Sequence, residues 1–173
     1  MAQAPRYEAL LRDARLTQGD IIDDCPMLLL ENPERALDGD VEPDFILGRI
    51  IVLTQACDLE QSKATKTLVA LIHDPQNLVH RGFLKPSTIR DSIRRHQSFG
   101  WYFLPAASLP LAFPESIIDL RELHTIHRGI LERLIADGKG VCRLSTPYRE
   151  HLAQHFAVTY MRIALPEPYE TEA

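Results

Sequence analysis

Two apolar runs, Ile50–Leu53 and Leu68–Ile72, lie close together near the middle of the chain. Short runs without polar breaks are the mark of strands buried on both faces. They predict strands over Gly48–Glu60 and Lys66–Asp74, joined by a polar connection of hairpin length at Gln61–Thr65. A hairpin that is apolar on both sides needs a layer above and a layer below, so the other elements are expected to wrap around it. Towards the N-terminus, Tyr7, Leu10, Leu11 and Ala14 recur at helical spacing and predict a short amphipathic helix over 5–15, with Pro5 in its first turn. Gly19-Asp20 ends that pattern. Ile21-Ile22 opens a short strand, which Asp23, Asp24 and Pro26 interrupt before Met27–Leu30. Glu31–Asp44 is acidic, carries Pro and Gly, and reads as a surface loop.

Beyond the hairpin, residues 76–98 read as a helical insertion. A turn of helix spans Gln76–Arg81, and a second helix starts at Pro86 with Ile89 and Ile93 on one side. Phe99–Leu104 is an aromatic strand whose alternation sends Trp101 and Phe103 to one face and Tyr102 to the other. Pro105–Pro114 is a loop. Glu115–Ile126 forms two short strands, or one strand bent near Asp119. Arg128–Ala136 has helical spacing and is stopped by Asp137-Gly138. After an extended piece at Val141–Leu144, Thr146 is a good N-cap for a closing helix with Pro147 in its first position. That helix is expected to run to about Ile163, with 166–173 as a disordered acidic tail. The whole, 1–173, reads as a single domain.

Composition narrows the class. The chain is 45% hydrophobic and 25% charged, as ordinary globular proteins are. It has no run approaching the roughly 20 apolar residues of a membrane span, and no apolar signal segment follows Met1. Three widely spaced cysteines fit a reducing, cytoplasmic setting better than a disulfide framework. With no C-x-x-C pair, and with Leu152 and Ala153 after His151 in place of a zincin pattern, neither a metal nor another cofactor is expected. His124 and His127, three apart on an expected strand, fall on opposite faces. The net charge of −5 is unevenly spread. Met1–Glu60 holds thirteen Asp or Glu residues against five Arg, whereas in the insertion Arg81, Lys85, Arg90, Arg94 and Arg95 face only Asp91. Those five basic residues are candidate RNA-binding groups, with Trp101 as a base-stacking platform beside them. The plainer readings are a solvated helix face and a core aromatic.

Five short segments, in order, resemble the MazF/PemK (CcdB-like) toxin family. They are Gly19-Asp20-Ile21, Arg49-Ile50-Ile51-Val52-Leu53-Thr54, Val69-Ala70-Leu71-Ile72-His73, the stretch Leu123–Leu131, and Val141-Cys142-Arg143-Leu144-Ser145 before the last helix. The chain departs from the family in having Ile50 where a Pro follows the Arg, and in the length of its insertion. The resemblance implies a mainly β fold with flanking helices: an SH3-like barrel of the MazF/PemK type with a helical insertion and a C-terminal helix. It also implies a homodimer, and a metal-independent endoribonuclease acting on single-stranded RNA in a toxin–antitoxin or defence setting, with an antitoxin or other protein as partner.

Arg49 stands at the family's arginine, and a guanidinium matches phosphate oxygens bidentately. His73 stands where the family has a catalytic Thr or Ser, and an imidazole there could carry protons near neutral pH. Its plainer reading is a strand-end histidine with one hydrogen bond. Cys57-Asp58 offers a nucleophile; its plainer reading is a small apolar residue beside a turn-capping carboxylate. Two other functions compete with the nuclease. One is a non-catalytic barrel that binds another protein; the other is an enzyme centred on Cys57.

Overall fold

A computed structural model of the chain describes residues 5–29, 34, 44–61 and 65–161. Its framework is one antiparallel seven-stranded sheet. The strands are β1 (Tyr7–Ala9), β2 (Asp20–Leu29), β3 (Asp44–Val52), β4 (Lys66–His73), β5 (Trp101–Leu104), β6 (Ser116–His127) and β7 (Gly140–Leu144). They lie in the order β1-β7-β2-β3-β4-β6-β5. The helices are α1 (Ala56–Glu60), α2 (Pro75–His80), α3 (Pro86–Asp91), α4 (Arg128–Ala136) and α5 (Tyr148–Tyr160), with a 3-10 turn at Ile93–Arg95. The class is α+β. The sheet is open, with β1 and β5 at its two ends, and not the closed barrel that the sequence suggested.

The apolar hairpin is central and two-sided, as its sequence requires. Ile50, Ile51 and Val52 pair with Leu71, Ala70 and Val69. Ile51, Leu53, Ala70 and Ile72 face a core that includes Tyr102, Phe113 and Leu152. Ile50, Val52, Val69 and Leu71 face another, closed by Leu131 and Ile135 of α4. A third cluster seats Ile89 and Ile93 of the insertion against Trp101, Phe103 and Ile117. Alternation along β5 therefore divides its aromatics between layers as expected, and all four of its residues are buried.

Several expectations shift. The helix read over 5–15 is a three-residue strand, because Tyr7, Glu8 and Ala9 pair with Leu144, Arg143 and Cys142. Leu11, counted on the apolar stripe, is 64% exposed. The strand expected over Gly48–Glu60 ends at Val52, and Ala56–Glu60 is helical. Its other end begins earlier, at Asp44. Ile21 to Leu29 is one continuous strand, since Asp23 and Asp24 are absorbed in a bulge. Of the two readings of the 115–126 segment the single strand holds, as Ser116–His127, with its register against β4 broken between Asp119 and Leu123. The closing helix starts at Tyr148, with Pro147 as its N-cap residue instead of Thr146. Most of the expected acidic loop and the whole expected tail lie outside the described residues.

Candidate functional site

The site is made by one irregularity in β2. Ile22 pairs with Ile50 and Cys25 with Gly48, so Asp23 and Asp24 together oppose the single residue Arg49. Two residues against one is a β-bulge, and Asp24 takes the left-handed conformation (φ 55°) that Asp tolerates better than most residues. The bulge turns Asp23 onto Arg49. The Arg49 guanidinium donates to Asp23 through Nε (2.5 Å) and Nη2 (2.8 Å), and it lies 5.6 Å from the Phe113 ring centre. Asp23 holds Arg49 above even its ordinary, high pKa. Asp24 accepts from the ammonium of Lys139, 2.5 Å away.

Beyond Ile50 and Leu71, β3 and β4 stop pairing. A cleft of about 470 Å³ opens there, and both Arg49 and His73 line it. Asp23, Asp24, Asp74 and Glu115 line it as well. Burial lowers the His73 pKa, while Asp119 and Glu122 pull it up and Arg81 and Arg121 lower it further. The imidazole is thus neutral at pH 7 and chemically able to accept a proton. Asp74 is committed to capping α2 through the Gln76 N–H (2.8 Å).

The basic residues of the insertion are spread from the end of α2 (Arg81) through Lys85 and α3 to the turn that follows. Arg94 donates twice to Glu115 at 2.7 Å and covers the Phe103 ring, and Arg90 pairs with Asp91. Arg81 lies over Phe83; Lys85 and Arg95 are exposed. Arg90 and Arg94 border a second cleft of about 280 Å³ that shares Glu115 with the first. Trp101 is 6% exposed, with the Arg121 guanidinium 3.9 Å from its ring centre, so its face is covered and offers no platform for a base. Cys57 is exposed on α1, its thiol near Gln55 (3.6 Å) and Asp58 (3.8 Å). The connection carrying α1 leaves the sheet beside Leu68, whereas His73 ends β4, so Cys57 and His73 sit towards opposite ends of that strand.

Two constellations were missed in the sequence. One is the Asp23–Arg49 pair, whose signal was an acidic doublet between Ile22 and Cys25 in an apolar strand. The other is an imidazole cluster that joins the insertion to α5. His96 stacks against Tyr102 (4.4 Å) and abuts His151 (5.0 Å) and His155 (6.1 Å). Tyr102 Oη lies 2.9 Å from His151 Nδ1, and His155 Nε2 lies 3.1 Å from the Trp101 carbonyl oxygen. His96 Nδ1 is buried and has no hydrogen-bond partner among the described residues. Burial lowers the His96 pKa to about 4, with smaller contributions in the same direction from His151, His155 and Arg6. Among the described residues no group of His, Cys, Asp and Glu is arranged to hold a metal ion.

The chain matches no protein-family model and gives no significant match to a curated protein.

Proposed function

We propose that this protein is a protein-interaction module that docks through the arm formed by the outer halves of β2 and β3. The carrying observation is the arm's outward face. Past the bulge, Leu28 pairs with Phe45 and Pro26 with Leu47. Leu28, Phe45 and Leu47 are 50%, 71% and 69% exposed, while Cys25 and Met27 on the other face are buried. Single exposed apolar residues are common, but cross-strand neighbours that form a patch mark an interaction surface. A two-stranded ribbon is also marginally stable alone in water, so a partner covering it supplies what the ribbon lacks. With benzoyl-phenylalanine at position 45, irradiation in cells is expected to give one discrete protein adduct. The same crosslinker at exposed Glu122 gives none, and Leu28→Ser removes the adduct. A smear equal at both positions rejects the module.

A second reading, the RNA nuclease of the MazF/PemK resemblance, draws on one observation: Arg49 and His73 share a cleft. Electrostatics weighs against it. Two donors of Arg49 are occupied by Asp23, and a phosphate entering the cleft meets four carboxylates. The proposed module leaves unstructured RNA intact in the presence of a chelator. Cleavage that disappears in His73→Gln would favour the nuclease instead.

A further inference from the structure

The sheet parts at one place. β3 reaches back to Asp44 and β4 runs on to His73, yet they pair only through Ile50–Val52 and Val69–Leu71. On their other sides both are satisfied, by β2 down to Asp44 and by β6 up to His73. The notch-facing edges of Asp44–Arg49 and Ile72–His73 therefore meet no strand among the described residues. A strand edge presents a fixed row of N–H and C=O groups, and only another extended backbone answers several of them in register. At about 3.3 Å per residue, the free β3 edge is roughly 20 Å long, room for a strand of ordinary length. Gly48 belongs to this edge. A Cβ there would stand 2.5 Å from Met27 Cε and 3.0 Å from Leu71 Cδ2, so the glycine lets the arm lie close to the core as it leaves β4.

The charges choose the occupant. Among the described residues, Asp23, Asp24, Asp74 and Glu115 line the notch against a single cation, Arg49. Two of these carboxylates have other cationic partners, Lys139 for Asp24 and Arg94 for Glu115, but both are ion pairs about half open to solvent. Such pairs are weak and readily exchanged for an incoming cation. The chain's own segments do not qualify. Residues 30–43 carry five acidic side chains and one Arg, and 162–173 carry three Glu and one Arg.

We infer that the notch takes an extended, basic segment of another protein by strand addition to β3. The assignment rests on the protein-interaction reading above and gives it a partner chemistry. The test is fluorescence anisotropy with a labelled ten-residue peptide alternating Lys and Thr. Saturable binding is expected, about tenfold tighter than for an alternating Glu–Thr peptide and about tenfold tighter than for the Lys–Thr peptide N-methylated at alternate amides. Asp24→Asn combined with Glu115→Gln weakens it by a similar factor, and amide resonances of Leu47–Arg49 and Ile72–Asp74 shift on titration.

Equal binding of the N-methylated peptide would mean charge without strand pairing and overturns the assignment. So do binding indifferent to charge, shifts confined elsewhere, no saturable binding, or sedimentation showing that a second copy of the chain fills this edge. The position-45 crosslink separates the two levels. If the adduct forms while the peptide fails to bind, the notch falls and the interaction module stands; if the adduct is absent, the module falls with it.

Discussion

Asp20 is fully buried, and its carboxylate is met by Arg143 (2.5 and 3.1 Å) and by the Thr17 N–H (2.9 Å). Removing one partner of such a pair strands the other, so Asp20→Ala should cost about 3 kcal/mol in urea unfolding. Arg90→Ala, which breaks an exposed pair with Asp91, should leave the urea midpoint unchanged in the same measurement. Position 100 is limited by backbone. Gly100 has φ +83°, and a Cβ there would stand 2.8 Å from Arg121 Cγ. Gly100→Ala is therefore expected to cost about 1–3 kcal/mol and to displace Arg121 from Trp101. At this scale the sequence was partly legible. Arg49 and His73 were singled out by their places in the family resemblance, and both line one cleft. What disarms Arg49 could not be read, because Asp23 reaches it only through a bulge that depends on pairing between distant segments.

Some of the side chains that join the helix α5 to β5 and the insertion can take up protons. Around His96 stand Tyr102 from β5, His151 and His155 from α5, and Arg6 from the segment before β1. Burial lowers the pKa of both His96 and His155 below the ordinary histidine value. The unfolded chain therefore takes up protons first as the solution is acidified. Their contribution is whole above about pH 6.5 and is lost as the pH falls towards 4, the value to which His96 is lowered. The Tm should drop over that window. His96→Asn, which suits the left-handed backbone at φ 55° but does not titrate, should flatten the dependence.

Elements with local signals were the readable ones. Residues 128–136 form a helix as expected, with apolar positions at helical spacing and Asp137-Gly138 as a stop. Leu131, wholly buried on its inner face, should cost about 2–5 kcal/mol when changed to Ala, measured by denaturant unfolding. Residues 5–15 were misread because their spacing fits a helix equally well, and only pairing with β7, far along the chain, selects the strand.

At the scale of the molecule, the two-sided hairpin was visible in its unbroken apolar runs, and the layers they demand are present. Closure of the sheet was not visible, because it depends on whether the first and last strands meet, and these stop at β1 and β5. The parting of β3 from β4 escaped notice for a related reason: the sequence through Gly48 and Arg49 continues as a strand whether or not it has a neighbour. Phe45→Ser should leave global stability within about 0.5 kcal/mol in urea unfolding, since that side chain packs into none of the three cores.

The chain has one tryptophan, and it belongs to β5, the terminal strand at one rim of the sheet, under the Arg121 guanidinium. Indole emission therefore watches a single margin, whereas ellipticity averages over every strand and helix. If that margin peels away before the centre melts, the fluorescence midpoint in a thermal scan will come earlier than the ellipticity midpoint.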